Sequence, residues 1–152
     1  MSLPKLAAFI AAGAMLAGIA AGAMAQDAAP DFAAMTPEQL VEARKAAMKE
    51  DGGLMRRAGG LTGADASAAA DTLIRNFTNF PAMFREGSIV GDSEALPVIW
   101  EDWEGFTAIF AKALQGANDM KAAATAGDAA AYAAALQTIG GTCGECHQKY
   151  RS

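Results

Sequence analysis

Histidine occurs once in these 152 residues and cysteine only twice. Basic runs are missing, β-branched residues are scarce, and no stretch alternates apolar and polar residues with a period of two. Each shortage excludes something. Without period-2 alternation there is no signal for a half-buried sheet. With 12 Lys and Arg against 17 Asp and Glu, and no basic cluster, nucleic acid and anionic membrane surfaces are poor partners, whereas a protein with a basic face is a good one. One histidine and two cysteines cannot supply the four His and Cys ligands of a structural zinc site. What soft-ligand chemistry there is falls in one window, Cys143-Gly-Glu-Cys146-His147, in "TIGGTCGECHQKYRS".

The opening residues read as a targeting segment. Lys5 gives a short positive region, Leu6 to Ala25 runs apolar and uncharged, and Ala23-Met24-Ala25 is a small-x-small cleavage triplet before Gln26. About 20 apolar residues could also anchor a chain in a bilayer. The Ala- and Gly-rich composition and the cleavage triplet instead favour a secretory signal peptide over 1–25 and a periplasmic location. Cleavage leaves 127 residues, one domain, with eleven basic and seventeen acidic side chains and a net charge of −6. Residues 26–36 read as a flexible leader, and the folded domain is expected over 37–152.

Four helices are expected in that domain. Thr36 as N-cap, Pro37 at the first helical position and Gln39 make a capping box that opens the first helix, which Gly59-Gly60 close. Gly52-Gly53 inside it cost about 1 kcal/mol each relative to alanine and call for a packing reason. Asp65 is the expected cap of a second helix with Ala66, Ala70, Leu73, Ile74 and Phe77 on its apolar side, ending near Pro81. After a loop with two glycines, Pro97 starts a third helix whose stripe is Ile99, Trp103, Phe106, Phe110, Leu114 and Ala117. Gly127-Asp128 break and recap the chain. The fourth helix carries Tyr132, Ala135, Leu136, Ile139, Cys143, Cys146 and Tyr150. Short loops between helices of about 15–25 residues predict an all-α, antiparallel four-helix bundle. The first and fourth helices are rich in alanine, which leaves a thin core for something else to fill. Trp100, Trp103, Phe106 and Phe110 read as bundle core, and Lys45, Arg57 and Lys149 as solvated helix-face charges.

C-x-x-C-H is the attachment signature of c-type haem. Two thiols add across the two vinyl groups and the adjacent imidazole ligates the iron. On a helix, positions three and four apart share a face, so Cys143, Cys146 and His147 present two sulfurs and a nitrogen to one flat ligand. Gly140 and Gly141 leave space beside them. A disulfide between Cys143 and Cys146 would close a tiny loop and leave His147 unexplained. A thioredoxin-like pair needs a βαβ setting that this helical chain lacks. The motif therefore predicts one covalently bound haem c. With no second histidine a bis-His haem is excluded, and methionine, lysine, water or an open position must face the other side of the iron.

A four-helix bundle with this motif at its C-terminus resembles the class II cytochromes c, which include the cytochromes c′ and the low-spin cytochrome c-556 type. The carriers of the resemblance are "EARKAAMKEDGGLM", "LPVIW" and "ALQTIGGTCGECHQKYR", and together they span about Pro37 to Arg151. The resemblance implies that Cys143 and Cys146 are the thioether cysteines and His147 the proximal ligand. It places Arg151 on the proximal side of the haem, one helical turn after His147. Arg44 matches an arginine that commonly pairs with a haem propionate, and Met48 falls at the family's distal position. Met55, seven residues on and about 10 Å further along the helix, is the weaker ligand. Core filling is the ordinary role of either methionine, and Tyr150 is a candidate for packing on the haem edge.

Two functions follow from the distal residue. If the Met48 thioether reaches the iron, the haem is low-spin with a raised potential and the protein is an electron carrier. "KAAMKEDGGLM" looks closer to that branch, which is the favoured reading. If Met48 only packs over the iron, the haem is five-coordinate and an uncharged diatomic gas, NO or CO, can bind. No distal histidine is available for peroxide chemistry, so no enzyme activity is expected. The family contains both monomers and homodimers.

Overall fold

The computed structural model describes residues 30–152; the signal-peptide segment 1–25 and the start of the leader lie outside the described residues. Five helices and no strand occur among the described residues: α1 (Pro37–Ala58), α2 (Gly63–Met83), α3 (Val98–Glu101), α4 (Trp103–Ala126) and α5 (Ala129–Tyr150). The long helices α1, α2, α4 and α5 form the expected four-helix bundle. None of the helices is long and apolar enough to cross a membrane.

The helix ends follow local chemistry. The capping box at α1 is complete: Thr36 Oγ1 accepts from the Gln39 amide at 3.3 Å and Gln39 Oε1 accepts from the Thr36 amide at 2.8 Å. Asp128 caps α5 by accepting from the Ala131 amide at 2.9 Å. Gly127 closes α4 at φ 69°, a left-handed conformation that a side chain would oppose. The α2 cap is Thr62 rather than Asp65, which lies in the first turn and complements the helix dipole there.

Two expectations are corrected. The third helix is not continuous, because Asp102 takes φ −126°, ψ 50° and separates α3 from α4. That break shifts the helical phase, so Ile99, Phe106 and Phe110 are buried while Trp103 is 40% exposed. Trp100 is half-buried, with its indole N–H donating to the Phe84 carbonyl at 2.9 Å. Residues 30–36, read as a flexible leader, are packed. Phe32 is buried on a one-turn 3-10 helix, and Arg85 donates to the carbonyls of Ala33 and Met35 at 3.0 and 2.9 Å.

The core is aromatic at its centre and small-residue at its seams. Phe80 and Phe110 stack at 5.2 Å, and Phe106 meets Phe84, Phe110 and Tyr150 edge-on at 4.9, 5.0 and 5.1 Å. Such pairs add about 0.5–1.5 kcal/mol each beyond area burial. Gly116 of α4 lets α5 approach closely, since a Cβ there would lie 3.0 Å from Ile139. Helix α4 packs tightly on both α2 and α5, whereas α1 and α5 barely touch. That unfilled seam positions the site.

Candidate functional site

Two cavities open along the α1–α5 seam. The first, about 380 Å³, is lined by Val41, Arg44, Lys45 and Met48 of α1, by Phe84, Ile99 and Phe106, by the loop residues Asp92 to Ala95, and by Cys146, His147, Tyr150 and Arg151. The second, about 260 Å³ and mostly apolar, is lined by Met48, Asp51, Gly52 and Met55 of α1, by Phe77, Phe80, Phe110 and Ala113, and by Gly140, Thr142, Cys143, Cys146 and His147 of α5. Met48, Cys146 and His147 are common to both. The structure thus brings together all six residues singled out in the sequence: Met48 and His147 at the junction with Cys146, Cys143 on one side, Arg44 and Arg151 on the other. Met55 lines only the second cavity. Gly52 is also part of that cavity wall, although a Cβ there would make only an ordinary 3.6 Å contact with the Arg56 side chain.

The thiols are chemically quiet. Both cysteines are free. Burial is the main cause that raises the Cys143 pKa, with the Asp51 charge adding to it, and burial beside Cys143 and Glu145 pushes Cys146 up to about 11. Both are therefore thiols at neutral pH. Partial burial, assisted by Arg151, lowers the His147 pKa. A neutral imidazole is the form that ligates a metal.

Arg44 is 4% exposed and heavily engaged. Its Nη1 donates to the Met83 carbonyl and Ser88 Oγ, both at 3.2 Å. Its Nη2 donates to the Ser88 carbonyl at 2.8 Å and Ser93 Oγ at 2.7 Å. The guanidinium also lies 4.8 Å over the Phe84 ring. It clasps the 84–93 loop to α1, a role the sequence did not reveal. Burial lowers its pKa, and among the described residues its hydrogen bonds all go to neutral oxygens, so the cavity holds a cation where an anion would be favoured. Lys45 pairs with Asp92 at the same mouth.

Arg151 is not one turn further along the helix. α5 ends at Tyr150 and Arg151 is extended, at φ −129°, ψ 141°. It forms an antiparallel bridge with Ala95 and an ion pair with Glu94 at 2.6 Å. The Tyr150 carbonyl accepts from the Leu96 amide, and the Ser152 amide donates to the Glu94 carbonyl, both at 2.9 Å. The chain just after His147 is thereby fixed to the wall of the first cavity. Tyr150 lines that cavity and donates its hydroxyl to Asp102 Oδ2 at 2.5 Å. Lys149, expected to be a solvated helix-face charge, is exposed and pairs with Asp102 at 2.5 Å.

One further residue escaped the sequence reading. Asp51 is 6% exposed, and its Oδ2 has no hydrogen-bond partner. Burial raises its pKa to about 6, against the opposing hydrogen bond from Asn76. Its place one turn after Met48 put an acid on an otherwise apolar stripe, and that was the signal available.

This lining fits a c-type haem. A long slot with one apolar end and one cationic mouth suits a macrocycle carrying hydrophobic pyrroles and anionic propionates. Two protonated thiols border it, and an imidazole stands at its centre. A Cβ built on Gly140, Gly141 or Gly144 of α5 would meet nothing within 4 Å, so the helix face beside the motif is open.

The family model of cytochrome c′ matches residues 39–151. The chain belongs to the cytochrome c′ family. Members of this family bind one covalently attached haem c. The chain is 34% identical over 123 residues to a cytochrome c′ of Pararhodospirillum photometricum, covering 76% of this chain and 98% of the relative. It is 38% identical over 118 residues to a cytochrome c-556 of Agrobacterium tumefaciens strain B2A, covering 73% and 95%. Among solved cytochromes c′, that of Thermochromatium tepidum superposes with a TM-score of 0.69 at 28% identity, covering 78% of this chain and 98% of that one. Cytochromes c′ are mainly electron carriers or gas binders and are periplasmic. Both cytochromes c′ and cytochromes c-556 stand among its relatives.

Proposed function

We propose that this cytochrome c′ family member is an exported, periplasmic electron carrier, in which Cys143 and Cys146 would hold haem c and His147 and Met48 would ligate its iron. The observation that carries the reading is the junction of the two cavities. Met48 comes to it from α1 and His147 from α5, so a haem filling the two cavities would be held between these two side chains. The bound haem supplies one-electron chemistry between ferric and ferrous iron. The chain's residues do the rest. Arg44 and Arg151 offer positive charge to the propionates at the cationic mouth, and Phe77, Phe80 and Phe110 exclude water from the apolar end. His147 would offer a neutral nitrogen to the iron, and the pairing of residues 150–152 with the 94–96 loop fixes the end of the helix that carries it. Two thioether attachments and two protein ligands leave little to rearrange when the electron arrives or leaves. A redox protein with a basic face suits the acidic surface. With its one histidine used as ligand, the chain has no imidazole for acid–base catalysis, and we assign it no enzyme activity.

One observation favours a second reading. The apolar side chains around Met48, Met55, Phe77 and Phe80 among them, would suit an uncharged diatomic on the α1 side of a bound haem, and a variant of the Alcaligenes xylosoxidans cytochrome c′, a solved neighbour at 27% identity, is known as its nitric oxide complex. If Met48 packs without ligating, the protein is a five-coordinate binder of NO or CO. The visible spectrum of the reduced protein separates the two. A sharp low-spin spectrum that Met48→Ala converts to high-spin is expected. A broad high-spin spectrum in the wild type, with immediate CO binding, would establish the gas-binding reading instead. A solved neighbour is described as a cytochrome c′ with ligand-controlled dimer dissociation, so sedimentation with and without CO tests whether this chain is a monomer or a homodimer.

A further inference from the structure

We propose that Asp51 is a proton-binding site linked to the haem electron: its unpartnered Oδ2, buried in the cavity wall, takes up a proton when the cofactor is reduced and releases it on oxidation. The inference rests on haem occupying the slot at His147. It holds whether or not Met48 ligates the iron.

Three features of the side chain support it. Asn76 Nδ2 from α2 donates to Asp51 Oδ1 at 2.6 Å and to Glu50 Oε2 at 2.9 Å. Two carboxylates accepting from one amide nitrogen fix which way the Asn76 amide points. They also leave it no donor for Oδ2. That oxygen is the buried side-chain polar atom without a partner among the described residues, and its carboxyl lines the apolar cavity with Cys143, Cys146 and His147. An ionised oxygen in such surroundings lacks compensation, whereas a protonated one is tolerated. Burial favours the neutral form of the carboxyl and raises its pKa to about 6.

The charges facing Asp51 can be named element by element. Glu50 beside it on α1 raises its proton affinity, while Asn76 and Arg75 of α2 lower it. From α5 it faces Cys143, whose sulfur ceases to ionise once it is a thioether, and His147, which is neutral as an iron ligand. The α4 wall is Ile109, Phe110 and Ala113, with no charge. The one cation in that set, Arg75, is already paired with Glu50 at 3.0 Å, which leaves Asp51 as the group whose charge can change to offset an electron added to the cavity. In a medium of low dielectric constant that added charge acts strongly on a nearby carboxyl.

The step balances simply. A one-electron donor reduces the ferric centre to the ferrous, and one proton leaves the buffer to form the Asp51 Oδ2–H bond. The charge of the cavity is then unchanged. Reciprocity requires that protonation favour reduction by the same factor by which reduction favours protonation.

The test uses the haem-loaded protein. Potentiometric titration with dithionite and ferricyanide between pH 4.5 and 8.5 should show the wild-type potential falling as pH rises. A ten-fold difference in the Asp51 dissociation constant between redox states corresponds to about 59 mV for one electron. Asp51→Asn, which keeps the shape and the Asn76 contact, should remove that fall and leave the spin state unchanged. A fall that persists in Asp51→Asn belongs to the propionates and overturns the proposal. Should the variant not fold, the wild type decides. Its reduced-minus-oxidised infrared difference spectrum near pH 6 should show a carboxylic acid band that moves on 13C-aspartate labelling, and absence of that band also overturns the proposal. The optical spectrum settles Met48 separately, so failure of one reading is not mistaken for failure of the other.

Discussion

Arg44 and Met48 stand one helical turn apart on α1 and both line the first cavity, yet they are held in opposite ways. Arg44 spends three hydrogen bonds on the 84–93 loop and a fourth on the Met83 carbonyl at the end of α2, while Met48 is a half-buried thioether. Truncating Arg44 to alanine strands two hydroxyls and two carbonyls, each a loss of about 1–3 kcal/mol when left unsatisfied and buried. With some groups rescued by water, Arg44→Ala should lower the unfolding free energy by roughly 2–4 kcal/mol in guanidinium titrations. Asp51 makes a second residue-scale prediction. Its folded pKa of about 6 lies above the ordinary value of 3.8, so between those values the folded state holds a proton that the unfolded chain has lost. Stability contributed by this group is therefore greatest at acid pH and declines as pH rises through about 6. The amplitude is up to about 3 kcal/mol. Wild type should lose stability relative to Asp51→Asn between pH 4 and 7, and parallel pH profiles of the two proteins would contradict the assignment.

At the scale of elements, helix ends and seams were legible because they are written locally. Thr36-Pro37-Glu38-Gln39 specifies the start of α1 in four residues, and the reciprocal hydrogen bonds are both present. Thr36→Ala should cost about 1 kcal/mol in the same titrations, with no change in the haem spectrum, because the cap lies away from the cavities. The haem c expectation was equally legible, since two cysteines and a histidine on one helical face need no tertiary information. What could not be read was long-range. The break at Asp102 depends on its carboxylate meeting Lys149 and Tyr150 of α5, 47 and 48 residues away, and with it went the placement of Trp103. Those two hydrogen bonds also hold the Asp102 pKa below the ordinary carboxylate range. Its contribution is therefore present at neutral pH and lost as pH falls through that lowered value. The clasp of Arg44 on Ser88 and Ser93 and the strand-like pairing of Arg151 with Ala95 were hidden for the same reason: polar residues of a long loop carry no periodicity that announces their partners.

At the scale of the whole molecule, the bundle is built around a space it does not fill. α4 packs against α2 and α5, α1 leans on α2, and the α1–α5 seam is left to a cofactor. The alanine-rich first and fourth helices make sense in that light, because small side chains bring backbones close while leaving room for a planar ligand. Removing the anchor should therefore weaken the fold as well as the function. The double variant Cys143→Ser with Cys146→Ser should melt well below the haem-bearing wild type and give a less cooperative transition. Equal melting temperatures would mean that the helices alone complete the core. The most direct measurement is acid-acetone extraction of the denatured protein, matured in a cell with working export and haem-attachment machinery, followed by mass spectrometry of the chain. One haem should stay with each polypeptide, with neither cysteine reactive toward a thiol reagent; a haem-free chain with two titratable thiols would contradict the covalent site at Cys143 and Cys146.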